Sequence, residues 1–170
     1  MITAPITDER ADLLESLRQH RFFLRHTVRD LTDEQAAETP TASALCLGGL
    51  IKHVASVERG WANFIVEGPS AMAFSEERVI ARENEFRMLP GETLAGILSE
   101  YERVAARTDD LVTSLPDLNA DQPLPEAPWF PPNARWSARR VLLHICAETA
   151  QHSGHADIIR ESIDGAKTMG

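Results

Sequence analysis

The sequence predicts an all-α protein: a four-helix bundle with a long proline-rich loop before its last helix, in one domain over residues 1–170. Three observations predict it. Four long stretches repeat apolar residues at spacings of three and four. Extended alternation of β-branched residues is absent, and no such runs flank an Asn-Gly or Asp-Gly turn. Six of the ten prolines fall between positions 116 and 135, which separates the last helical stretch from the one before it.

The first helix is predicted over residues 7–31. Thr7 is its expected N-cap, and Asp8 and Glu9 in the first turn favour the helix dipole. Its stripe is Leu13, Leu17, His20, Leu24, Val28 and Leu31. Residues 32–44, with Pro40 and several Ser and Thr, read as a connector. The second helix is predicted over 45–66, with Leu47, Leu50, Ile51, Val54, Val57, Trp61 and Ile65 on its apolar face and Gly68-Pro69 ending it. Residues 75–88 are charge-rich, weakly periodic and at most partly helical. The third helix, 91–115, has the cleanest stripe: Leu94, Ile97, Leu98, Tyr101, Val104, Ala105, Thr108, Leu111, Val112 and Leu115, bounded by Pro90 and Pro116. The aromatics Trp129 and Phe130 make residues 116–135 an ordered loop lying over the bundle, not a disordered linker. The fourth helix starts after Trp136, with Ser137 as N-cap, runs to about residue 163 and is stopped by Gly165.

Composition excludes several function classes. Hydrophobic residues make up 43% and charged residues 25%, the balance of an ordinary globular protein. No run approaches the roughly 20 apolar residues that cross a bilayer. The first residues lack a basic segment followed by an apolar run, so no secretory leader is expected there. Two cysteines, Cys46 and Cys146, rule out a disulfide scaffold and a four-cysteine zinc site, and a cytoplasmic location is expected. Seventeen basic against 26 acidic residues leave a net charge of −9, which repels nucleic acid and anionic membranes. The densest basic cluster, Arg135, Arg139 and Arg140, does not amount to a patch for either.

The chemistry concentrates in HICAETAQHSGHADIIRE on the fourth helix. His144, Glu148, His152 and His155 project at about 0°, 40°, 80° and 20° around the axis. Val141 and Ile159 project at about 60° and Ile145 at about 100°, so the polar stripe interrupts the apolar one. A carboxylate beside imidazoles in that position is costly unless paired or bound to a metal. Residues 144 and 155 are about 16 Å apart along the axis, so all four cannot hold one ion. An adjacent pair can: 144/148, 148/152 or 152/155. His53, at the edge of the second helix's apolar stripe, offers a third ligand. Three protein ligands leave an open position, the mark of a catalytic metal. The competing reading of the cluster is a structural hydrogen-bond network. Taken alone, His20 and His26 read as core or boundary histidines, Cys46 and Cys146 as inert apolar residues, and Trp61 and Tyr101 as core. Glu58 fits the interior and a solvated rim equally well.

GGLIKHVASVERGW, RWSARRVLLHICAE and ETAQHSGHADIIRESIDG together give the chain a resemblance, over essentially its whole length, to the DinB/YfiT-like superfamily of metal-binding four-helix bundles. Within it the chain is most similar to the branch of actinobacterial mycothiol S-transferases. That resemblance implies a metal triad of His53, Glu148 and His152, with glutamate in place of the histidine that much of the superfamily has four residues before the last ligand. The related mycothiol-dependent maleylpyruvate isomerase shares that glutamate. It leaves His155 and His144 as catalytic or ligand-orienting groups, and a likeness to these proteins also implies a homodimer. Two imidazoles and a carboxylate suit zinc, nickel, iron or manganese, and a thiol substrate favours zinc. The function implied is metal-dependent transfer of a low-molecular-weight thiol, mycothiol, to an electrophile, as in detoxification, with the metal holding the thiol as thiolate. Arg135, Arg139, Arg140 and Arg160 are the candidates for binding the negative groups of such substrates. Two alternatives use the same site: a hydrolase acting through metal-bound water, and a non-catalytic metal- or ligand-binding stress protein.

Overall fold

The computed structural model describes residues 8–73 and 75–168. Asp8, accepting from the Arg10 N–H, caps α1 (Glu9–His26). The expected cap at Thr7 lies outside the described residues. α1 stops five residues short of the predicted end. The N–H groups of Thr27, Val28, Arg29 and Leu31 bond three residues back, and Asp30 takes a positive φ of 59°, so the chain turns. The connector holds a short helix, α2 (Asp33–Ala37), closed by a reciprocal capping box between Thr32 and Gln35.

α3 (Leu47–Glu67) leads through a 3₁₀ turn at Gly68–Met72 to α4 (Glu76–Asn84), and α5 (Leu94–Ser114) follows. The proline-rich segment lies against the bundle as expected, with Leu118 in a core and Leu124 packed on it, and it contains an element that sequence reading did not anticipate. β1 (Asp121–Pro123) pairs antiparallel with β2 (Arg135–Ser137), with Gln122 opposite Trp136. α6 (Ala138–Asp164) starts at the predicted cap, where the Ser137 hydroxyl accepts from the Arg140 N–H. It ends at Gly165, whose φ of 78° is the left-handed turn that glycine adopts without Cβ strain.

The long helices α1, α3, α5 and α6 form the bundle. Contacts between them give its directions. Arg139 meets Glu9, Ser153 meets the His20 carbonyl and Arg160 meets that of Thr27, so α6 runs parallel to α1. Lys52 meets Glu92 and Arg59 meets Glu100, so α5 runs parallel to α3. Parallel neighbours joined in sequence need a return connection along their length. Residues 68–93 make that return, and the part around residues 84–92 passes beside the first half of α3. They lie close because Gly48 and Gly49 have no side chains. A Cβ on Gly49 would sit 2.1 Å from the Phe86 carbonyl, and one on Gly48 would sit 2.4 Å from the Met88 sulfur.

Two apolar cores stack along the bundle. One is built around Leu17, Phe64, Val112, Leu142 and Ile145, the other around Leu24, Leu50, Ile51, Tyr101 and Ile159. Between them the interior is polar: Arg21, Glu58, Thr108 and Thr149 are buried. Glu58 is therefore interior, and its carboxylate pairs with the Arg21 guanidinium. None of the described helices is long and apolar enough to cross a membrane.

Candidate metal centre

α3 and α6 are antiparallel, which sets His53 level with His152 and Trp61 level with His144. The His53 and His152 rings meet edge to face, 4.8 Å between centroids. One nitrogen from each imidazole and one Glu148 oxygen all lie within 4.8 Å of one another. Among the described residues this is the group with metal-ligand geometry. The histidine side chains are each 12% exposed and Glu148 is 29% exposed, so the cluster is largely shielded yet partly open to solvent.

Chemically the donors fit a divalent cation. Glu148 stands 3.7 Å from His152 Nε2 and 3.9 Å from His144 Nε2, too far for a hydrogen bond to either. The carboxylate thus approaches the imidazoles without bonding to them, which leaves its oxygens free to serve as donors beside the two rings. The other histidines of the stripe hold outer positions. His155 Nδ1 is 3.4 Å from His152 Nδ1, on the side of that ring away from Glu148. His144 packs edge to face against two indoles, with centroids 4.9 Å from Trp61 and 5.1 Å from Trp136. These indoles stack on each other at 4.8 Å, and Phe130 of the proline-rich loop packs edge-on against Trp136. Trp61, read from sequence as core, does pack against the first apolar core while also touching His144, and Tyr101 is fully buried.

The sequence reading did not single out Glu85. Its Oε2 is 3.0 Å from His53 Nδ1, and its Oε1 accepts from the Ser56 hydroxyl at 2.5 Å. Burial raises the Glu85 carboxyl, but the bonds from His53 and Ser56 outweigh it and hold the group below the ordinary carboxylate range. The adjacent Phe86 ring stacks on His53 with 4.1 Å between centroids. The signal available in the sequence was indirect: two adjacent glycines in an apolar helical stripe mark a close backbone approach.

The arginines have separate fates. Arg135 pairs with Asp121 across the β-hairpin at 2.7 Å. Arg139 binds Glu9 and Asn119 at the start of α1. Arg160 is buried and spans the turn after α1, donating to the carbonyls of Thr27 and Arg29 and pairing with Asp164. Arg140 places its guanidinium 4.3 Å above the Trp136 ring that contacts His144. His26 stacks on Phe22, and His20 meets Ser153 through its carbonyl; neither joins the site. Both cysteines are buried and unpaired as disulfides.

Burial pushes the His144 imidazole below its ordinary value, with the Glu148 charge opposing. It also lowers His152, where the neighbouring His53 adds to the effect. An unfolded imidazole titrates near about 6.5. Below that pH the unfolded chain takes up protons that the folded chain refuses. The metal-free protein is therefore expected to keep this stability above about pH 6.5 and to lose it as pH falls through the lower folded values. Urea unfolding across that window measures the effect, and His144→Gln is expected to reduce the slope. A profile that does not change between the wild type and this variant would contradict the assignment.

A family model described as Mycothiol-S-transferase matches residues 12–165. No curated protein matches the chain.

Proposed function

The chain belongs to the mycothiol-S-transferase family, and from that premise we propose that it joins mycothiol, a low-molecular-weight thiol, to an electrophilic small molecule in a metal-dependent reaction. The observation that supports this most directly is the convergence of His53, Glu148 and His152 from two helices. A divalent cation, when bound, supplies a Lewis acid that favours the thiolate form of a thiol. His53, Glu148 and His152 are the residues that would hold it. Zinc suits this donor set together with a sulfur reactant, and nickel, iron and manganese suit the donors alone.

The chain's own residues do the rest. Its cysteines do not serve as nucleophile: Cys46 caps α3 by accepting from the Gly49 N–H, and burial pushes the Cys146 thiol up. His144, kept neutral by burial, accepts the proton that leaves the thiol. The sulfur lone pair then forms a bond to the electrophilic carbon, and the leaving group departs with its bonding pair. His155 steadies the His152 ring from its Nδ1 side. Trp61 and Trp136 wall off water around the reacting atoms. Arg140, whose guanidinium makes no ion pair among the described residues, meets a negative group of the substrate.

The test combines metal analysis with an electrophilic fluorogenic dye, offered with and without mycothiol. The expected result is one cation per chain and a thioether product only when thiol and dye are both present. Turnover of ester or amide substrates without thiol would replace this reading with hydrolysis. Tight ligand binding with no product would replace it with a binding role.

A further inference from the structure

Resting on the metal reading above, the structure assigns a role to Glu85: it is the positioning residue that fixes His53 as a ligand, and the return connection exists in its docked form to deliver it. A carboxylate is only an acceptor. At 3.0 Å from Glu85 Oε2, His53 Nδ1 must carry the hydrogen, which leaves the lone pair on Nε2. Glu85 is itself held, because Ser56, one turn along the same helix, donates to its other oxygen at 2.5 Å. The Phe86 ring, stacked 4.1 Å from the imidazole, opposes its rotation. The ring is thus fixed in both tautomer and plane before any ion arrives.

The backbone that carries Glu85 is clamped at both sides. Gly49 leaves room for the Phe86 carbonyl at a distance that a methyl group would forbid. Lys52, adjacent to His53 in sequence, donates through Nζ to the carbonyls of Asn84 and Arg87 and to the Glu92 carboxylate, at 3.3, 2.9 and 2.7 Å. The same Glu92 oxygen accepts from the Leu89 N–H. One amine therefore ties down the chain on both sides of Glu85. Glycine at 48 and 49, lysine at 52, histidine at 53 and serine at 56 all serve a single contact between α3 and the segment at 84–92.

Two measurements test this, and they fail independently. Two-bond nitrogen–hydrogen correlation spectra of the metal-free protein, at a pH where His53 is neutral, report its tautomer. The wild type is expected to show the Nδ1–H form. Glu85→Ala is expected to lose that preference. Zinc titration against a chromophoric chelator is expected to show affinity reduced roughly 10–100-fold in Glu85→Ala. Glu85→Gln, whose amide oxygen still accepts from Nδ1–H, is expected to restore the tautomer and most of the affinity; a merely structural role for Glu85 would not predict that rescue. An unchanged tautomer and undiminished zinc affinity in Glu85→Ala overturn the assignment. A wild type that binds no zinc overturns the metal reading instead, and the tautomer spectra then decide the orienting role alone.

Discussion

His53→Ala and His152→Ala are each expected to abolish stoichiometric metal binding and thiol conjugation while leaving the helical content intact. Each change removes one of three donors, and the two that remain cannot enclose a cation against solvent. The loss should exceed the roughly 10–100-fold that removal of an outer hydrogen-bond partner costs. The fold is expected to survive for a physical reason. Both rings lie at the α3–α6 seam, partly open to solvent and outside the two apolar cores, so truncation leaves no sealed cavity. Glu148→Ala belongs to the same series, and its carboxylate has no hydrogen-bond partner to orphan among the described residues. Metal analysis after dialysis, circular dichroism and the dye assay separate the cases. A variant that keeps one cation per chain would remove its residue from the ligand set. A variant that unfolds would mean that the histidines serve packing.

How much of this was legible in the sequence depends on whether a feature is local. The α6 stripe was legible because helical geometry alone places residues 144, 148, 152 and 155 in one sector. His53 was legible as a ligand type at a suitable position on α3, although its partner could not be chosen among three pairs without the resemblance. Glu85 was not legible. It stands in a charge-rich stretch with other glutamates, and only the return of residues 68–93 past α3 distinguishes it. Arg160 shows the same limit in reverse. It resembled a rim arginine available to substrate, yet the turn after α1 presents two carbonyls that bury it. The β1–β2 pair escaped notice because three-residue strands beside prolines carry no alternation. The end of α1 was overestimated because Val28 and Leu31 continue the apolar spacing through a turn that is no longer helical. Periodicity reports which side of the chain faces the core, and a tight turn can preserve that facing.

Glu58→Ala and Arg21→Met are expected to destabilise the protein by about 3–5 kcal/mol each, the cost of breaking a buried ion pair from one side. The pair is bidentate: Arg21 Nη2 and Nε donate to the two Glu58 oxygens at 2.5 and 3.1 Å, and Nη1 reaches Asp109 at 2.7 Å. Glu58 is wholly inaccessible to solvent, and Arg21 is 5% exposed. Removing Arg21 leaves a carboxylate between two apolar cores, with no water to replace the guanidinium. Removing Glu58 is expected to cost less of the two, because Arg21 keeps Asp109. Replacing both, as Arg21→Met with Glu58→Leu, removes the charges together. That double variant is expected to be neutral or more stable than the wild type by about 1–4 kcal/mol. Urea unfolding of the four proteins forms a double-mutant cycle, in which additivity would show that the pair is not coupled. The same proteins probe the site. Residues 53 and 58 project about 140° apart around α3, so the ion pair faces α1 while His53 faces α6. Zinc affinity is therefore expected to be unchanged in the double variant. A matching loss of affinity would mean that the buried pair sets the register of α3 against α6, and so the distance between His53 and His152.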